Sequence, residues 1–85
     1  MSKKEKLLVR LLSKPKDFTY SELVSLLNYY GYSEFTKGKT AGSRRAFVNE
    51  ETKHVIRLHK PHPRNILKEY QIKDVIEELK QRELI

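Results

Sequence analysis

Eighty-five residues with 18 Lys/Arg against 11 Asp/Glu, a net charge of +7, make one small basic domain (residues 1–85), near the lower size limit for a single hydrophobic core. The absence of cysteine excludes a disulfide framework, a thiolate metal site and a Cys nucleophile, and no apolar run approaches the roughly 20 residues of a membrane-spanning helix. The surplus of positive charge points to an anionic partner, nucleic acid above all, although a soluble domain with many surface lysines would read the same way.

Lys3–Ser13 places Leu7, Leu8, Leu11 and Leu12 at helical spacing with charges opposite. Its short, interrupted apolar patch reads against a signal peptide. Lys14-Pro15-Lys16-Asp17 ends this helix, because Pro15 disfavours helical backbone at the residue before it. Thr19-Tyr20-Ser21-Glu22 fits a capping box, with Phe18 and Leu23 placed to form a hydrophobic staple. The second helix is expected to run to about Tyr30, with Leu23, Leu26, Leu27 and Tyr30 buried and Gly31 as its left-handed terminator.

Tyr32–Lys37 alternates enough for a first strand, and Gly38–Gly42 reads as a loop. Ser43–Asn49 and Lys53–His59 follow as strands around a turn at Asn49-Glu50-Glu51-Thr52. Lys60–Asn65, with Pro61 and Pro63, is irregular. Gln71–Leu84 closes the chain as a helix, with Ile72, Val75, Ile76 and Leu79 in one stripe. The fold class is therefore α+β, in the order α-α-β-β-β-α: a small antiparallel three-stranded sheet with helices packed on one face and the other face open.

The register of the second strand has two solutions. With Ile56 and Leu58 toward the helices, Val55, Arg57 and His59 point outward. Ala46 and Val48 would then join the core, with Ser43, Arg45 and Phe47 on the open face. A one-residue bulge would reverse this, turning Phe47 inward and Arg44 and Ala46 outward. Either way the open face carries an arginine from each of two strands together with His59. Guanidinium groups pair with phosphate and flat side chains stack on bases, so such a face suits RNA, or is an ordinary charged solvent face.

Of the three histidines, His54 reads as a solvated turn residue. His59 and His62 flank a proline-braced bend and could act as general base and acid, as a single proton shuttle, or as structural residues. With no cysteine, and no carboxylate between Lys53 and Lys68, no metal site and no cofactor are expected. Gly38-Lys39-Thr40 lacks the spacing of a phosphate-binding P-loop.

From Thr19 onward the chain resembles the HicA toxins of bacterial toxin–antitoxin systems. The likeness is carried by the capped helix with Glu22-Leu23-Val24 and Leu26-Leu27, then Gly31-Tyr32, a Lys/Gly loop, Gly42-Ser43 opening a strand, Phe47 within it, a strand ending in His59, and Leu67-Lys68 before the last helix. On this reading residues 17–85 are the HicA-like core and residues 1–16 an added N-terminal helix. The resemblance implies a fold like the double-stranded-RNA-binding domain and a cytoplasmic mRNA endoribonuclease. It also implies a HicB-like antitoxin partner, with assembly as a homo-oligomer or with the antitoxin left open.

The family's strand opens with Gly-Ser-His, its histidine being associated with RNA cutting; here the triplet is Gly42-Ser43-Arg44. Arginine stays protonated at physiological pH and cannot take a proton from a ribose 2′-OH, but it can stabilise charge on a phosphate. The candidate catalytic residues are therefore His59, His62 and Arg44, with Lys37, Lys39, Ser43, Arg45, Arg57 and Lys60 to bind RNA. A catalytically inactive RNA-binding domain of the same fold is the alternative.

Overall fold

A computed structural model describes residues 2–35, 44–61 and 64–85. Six elements follow in order: α1 (Lys3–Leu12), α2 (Tyr20–Tyr29), β1 (Tyr32–Phe35), β2 (Arg44–Asn49), β3 (Val55–His59) and α3 (Glu69–Gln81). The strands form an antiparallel sheet in the order β1-β2-β3. The fold class is the expected one.

Each of the first two helices starts with a reciprocal cap. Ser2 Oγ accepts from the Glu5 N–H (3.2 Å) in α1. In α2, Thr19 Oγ1 accepts from the Glu22 N–H (3.1 Å) while Glu22 Oε1 accepts from the Thr19 N–H (2.9 Å), so two otherwise unpaired donors are satisfied together. Glu22 also accepts from Arg10 of α1 in a two-pronged pair, Nε to Oε2 at 2.8 Å and a terminal nitrogen to Oε1 at 3.1 Å. One carboxylate thus caps α2 and fastens α1 to it. Arg10 reaches Asp17 as well, at 3.1 Å.

Gly31 terminates α2 at φ +89°, a conformation that costs residues with a Cβ. A Cβ there would also lie 3.2 Å from the Asn49 amide nitrogen. Asn49 needs that position: it donates to the Tyr30 carbonyl and accepts from the N–H groups of Glu51 and Thr52. It therefore ties the end of α2 to the β2–β3 turn.

The core joins Leu7 and Leu11 of α1, Phe18, Leu23, Leu26 and Leu27, the sheet residues Tyr32, Phe47 and Ile56, and Ile72, Val75, Ile76 and Leu79 of α3. The expected stripes of α2 and α3 are buried, save that Tyr30 is only partly so. α3 begins earlier than periodicity predicts, at Glu69, and ends earlier, at Gln81. Glu83 there turns to φ +58°, and Leu84 and Ile85 pack back on the core. Lys60, Pro61, Arg64 and Asn65 belong to no helix or strand, as expected, and order returns just beyond them. Ile66 forms an antiparallel bridge with Thr19, in which the Tyr20 N–H donates to the Asn65 carbonyl and the Leu67 N–H to that of Phe18, both at 2.8 Å.

The register resolves the open choice. Phe47 pairs with Ile56, Arg45 with Leu58 and Ala46 with Arg57 in an uninterrupted ladder, so Phe47 points inward without a bulge. Ala46 and Val48, expected in the core under the first register, lie on the open face.

Candidate nucleic-acid interface

Alternation places Ser33 and Phe35 of β1, Arg44, Ala46 and Val48 of β2, and Val55, Arg57 and His59 of β3 on the face away from the helices. No Asp or Glu occurs among these strand positions. Arg44 stands directly across from His59, and Phe35, Ala46 and Arg57 form the next row across all three strands. Side chains of directly opposed residues start about 5 Å apart at Cβ, and those two residues apart on one strand about 7 Å. Arg44, Arg57 and His59, all exposed, therefore converge on an area the size of one phosphodiester. Ala46 leaves a shallow dip between Phe35, 52% exposed, and Arg57.

Arg45 points the other way. It sits on the helix side, its Nε 3.4 Å from Glu34 Oε2, and donates to the Arg44 carbonyl at 2.9 Å. Glu34 also accepts from the Tyr20 hydroxyl. Burial first, and then that bond to Glu34, push the Tyr20 phenol well above its ordinary range, so Tyr20 stays a donor. Tyr20, Glu34 and Arg45 make a polar clamp beneath the peptide that carries Arg44. Lys60 lies above the Tyr20 ring, 5.5 Å from its centroid, and thus at the same end of the sheet. Lys37, Lys39, Ser43 and His62 fall outside the described residues; among the others, the structure brings together Arg44, Arg57 and His59 on the open face and places Arg45 and the Lys60 ammonium on the helix side.

His54 is not a solvated turn residue. Its side chain is 13% exposed, with Nδ1 2.6 Å from the Tyr32 hydroxyl and Nε2 2.9 Å from Glu78 Oε2. The network joins β1, the β2–β3 turn and α3, away from the Arg44–His59 end. Burial raises the Tyr32 phenol. Sequence reasoning also missed Phe35, whose outward direction follows from Tyr32 pointing inward three residues earlier, and Gln71. Gln71 is 4% exposed; it donates Nε2 to the His59 carbonyl at 2.7 Å and accepts from the Lys68 N–H at 3.0 Å. One side chain thus closes the first turn of α3 and fixes the end of β3. Among the described residues there is no cluster of three or more potential metal ligands, and no helix is long and apolar enough to cross a membrane.

A family model described as the HicA toxin of bacterial toxin–antitoxin systems matches residues 20–82. The chain belongs to the HicA toxin family. The match takes in α2, the whole sheet and α3, and therefore every side chain of the open face; α1 precedes it. No curated protein and no solved structure matches this chain. As a HicA toxin the protein is one half of a toxin–antitoxin pair, and the antitoxin is its expected protein partner.

Proposed function

We propose that this HicA toxin is an mRNA endoribonuclease of the cytoplasm, which holds single-stranded RNA across the open face of the sheet and cuts it by metal-independent transesterification. The observation that carries this reading is the cross-strand pairing of Arg44 with His59. The family's histidine position is occupied by arginine, and a histidine stands directly opposite. In this scheme His59 takes the proton of a ribose 2′-OH as its oxygen attacks the adjacent phosphorus. Arg44 and Arg57 offset the charge that builds on the phosphoryl oxygens. The P–O5′ bond breaks, a proton passes to the leaving oxygen, and a 2′,3′-cyclic phosphate remains.

Phe35 stacks a base, and Lys37, Lys39, Ser43 and Lys60 hold the phosphates on either side. His62 is the second candidate for proton transfer. Arg45 contributes by holding Glu34 and the Arg44 carbonyl, and the antitoxin covers the same basic face.

The test is cleavage of an mRNA by purified protein in EDTA, with product ends analysed. His59→Ala lowers the rate by about a hundredfold or more, with the melting temperature and RNA affinity retained. Undiminished cutting by the His59→Ala/His62→Ala protein overturns the assignment.

Arg44 itself favours a second reading, an RNA-binding domain that does not cut. Expression in a host separates the two: growth arrest that tracks mRNA loss supports the nuclease, and binding with intact mRNA supports the binding domain.

A further inference from the structure

The sheet order leaves β3 at an edge, and one hydrogen bond fixes the direction of its backbone groups. The Asn49 N–H donates to the His54 carbonyl across the ladder at 2.9 Å. Residues of an antiparallel pair alternate between facing the partner strand and facing away. His54, Ile56 and Leu58 therefore turn their main-chain groups toward β2, while Val55, Arg57 and His59 turn theirs to the outer edge. The bond from Gln71 Nε2 to the His59 carbonyl lies on that outer edge and agrees with the assignment.

Beyond Gln71 the edge runs beside α3, and the space between them is a groove of about 370 Å³. Its helical wall is one stripe: Tyr70, Asp74, Glu77, Glu78 and Gln81 follow at helical spacing. Glu78 is engaged by His54 and Glu77 meets Gln81 at 3.4 Å, while Asp74 and Glu77 are exposed to solvent. A protein of net charge +7 thus carries an acidic wall here, opposite in sign to the open face, and it repels the phosphates that the open face attracts.

A strand edge that no described strand pairs, beside a helical wall, is the arrangement in which an extended peptide joins a sheet. Main-chain bonds give affinity, and alternate side chains meet the wall. The carboxylates select the sign of those side chains. We infer that the β3–α3 groove is a docking site for an extended, lysine- or arginine-bearing segment of a partner polypeptide, which pairs with Val55 and Arg57 as a fourth strand and sets its cations against Asp74 and Glu77. A second copy pairing through its own β3 would bring Arg57 and His59 of the two molecules together on one face, a like-charge arrangement that disfavours it. The inference does not depend on RNA chemistry at the open face.

The probe is a capped eight-residue peptide alternating lysine with valine or threonine, titrated into the isotope-labelled full chain and followed by amide NMR. The expected result is saturable shifts at Val55–His59 and along α3, with slowed exchange of the Arg57 amide and unmoved Phe35, Arg44 and Ala46. Asp74→Asn/Glu77→Gln, at two exposed positions, weakens binding about fivefold, and a peptide with glutamate in place of lysine does not bind. The inference fails on any of four outcomes: no saturable shift at millimolar peptide, shifts centred on the open face, equal binding of the glutamate peptide, or unchanged affinity in the double variant. It also fails if an RNA oligonucleotide moves the Asp74 and Glu77 resonances of α3, or if sedimentation shows a dimer that protects the Arg57 amide without peptide. RNA cleavage, measured separately on the same variant, reports on the open face alone.

Discussion

The buried amide of Gln71 holds the main-chain carbonyl of His59 at 2.7 Å, so the end of the strand that presents the histidine is fixed from the helix behind it. Gln71→Ala leaves that carbonyl without its partner and opens the first turn of α3. The expected cost is about 1–3 kcal/mol of stability. If His59 acts on RNA, cleavage falls further than the loss of folded protein accounts for. Denaturant unfolding and RNA cleavage on the same samples, compared below the unfolding transition, check both parts.

Arg44→His places the family's own residue back on the strand. On the proposed mechanism it removes a permanent charge that stabilises the transition state while His59 already supplies the base, so cleavage does not rise, and RNA binding weakens in proportion to the lost positive charge. Arg44→Ala weakens both binding and cleavage, and the slope of log affinity against log salt becomes shallower by about one. Cleavage rates from pH 5 to 9 and binding at several salt concentrations measure these changes. An Arg44→His protein much faster than the parent would count against His59 as a substitute for the family's histidine.

The Arg10 guanidinium holds the Glu22 carboxyl below its usual range, helped by the Thr19 N–H and hydroxyl and opposed by burial. The folded protein therefore keeps this group ionised to lower pH than the unfolded chain does. Its contribution is present above the ordinary carboxylate range near pH 4 and is lost as pH falls through the lowered folded value. Glu22→Gln should be less stable than the parent at pH 6, with the difference shrinking toward pH 3. Arg10→Ala should lose about 1 kcal/mol at neutral pH. Thermal melts across this range decide it.

His54→Ala removes the link between the Tyr32 hydroxyl and Glu78 and leaves a buried phenol unpaired. The expected loss is about 1–3 kcal/mol, with RNA affinity unchanged because the network stands apart from the Arg44–His59 end. Chemical denaturation and an RNA-binding titration suffice. Reduced affinity in a fully folded variant would show that the two ends of the sheet are coupled.

The fold was readable because its signals are local and mutually consistent. Thr19 and Glu22 announce a helix start, Gly31 a helix end, and Ile72, Val75, Ile76 and Leu79 a buried stripe. The side of the sheet on which each β2 residue falls was not readable. Arg44, Arg45, Ala46, Phe47 and Val48 lack a clean apolar–polar alternation, and both Phe47 and Val48 are plausible core residues. Only the hairpin register with β3, which a one-residue bulge would shift, selects Phe47. The burial of His54 is hidden from the sequence for a related reason: a turn need not be a solvated place when a helix from the other end of the chain, carrying Glu78, packs over it. Gln71 gave no signal at all, since its role depends on a carbonyl twelve residues away.

Helix α1, which precedes the family-matched region, has a consequence for access. Leu7 and Leu11 are buried in the core beside the leucines of α2 and the apolar stripe of α3, and Arg10 bolts the helix down at Glu22. The back of the molecule is thus roofed by residues that precede the family-matched region. An inhibitor that seizes α2 and α3 from behind must first pry this roof away. Among the described residues, α1 leaves to a partner the front, over the arginines, and the flank along β3.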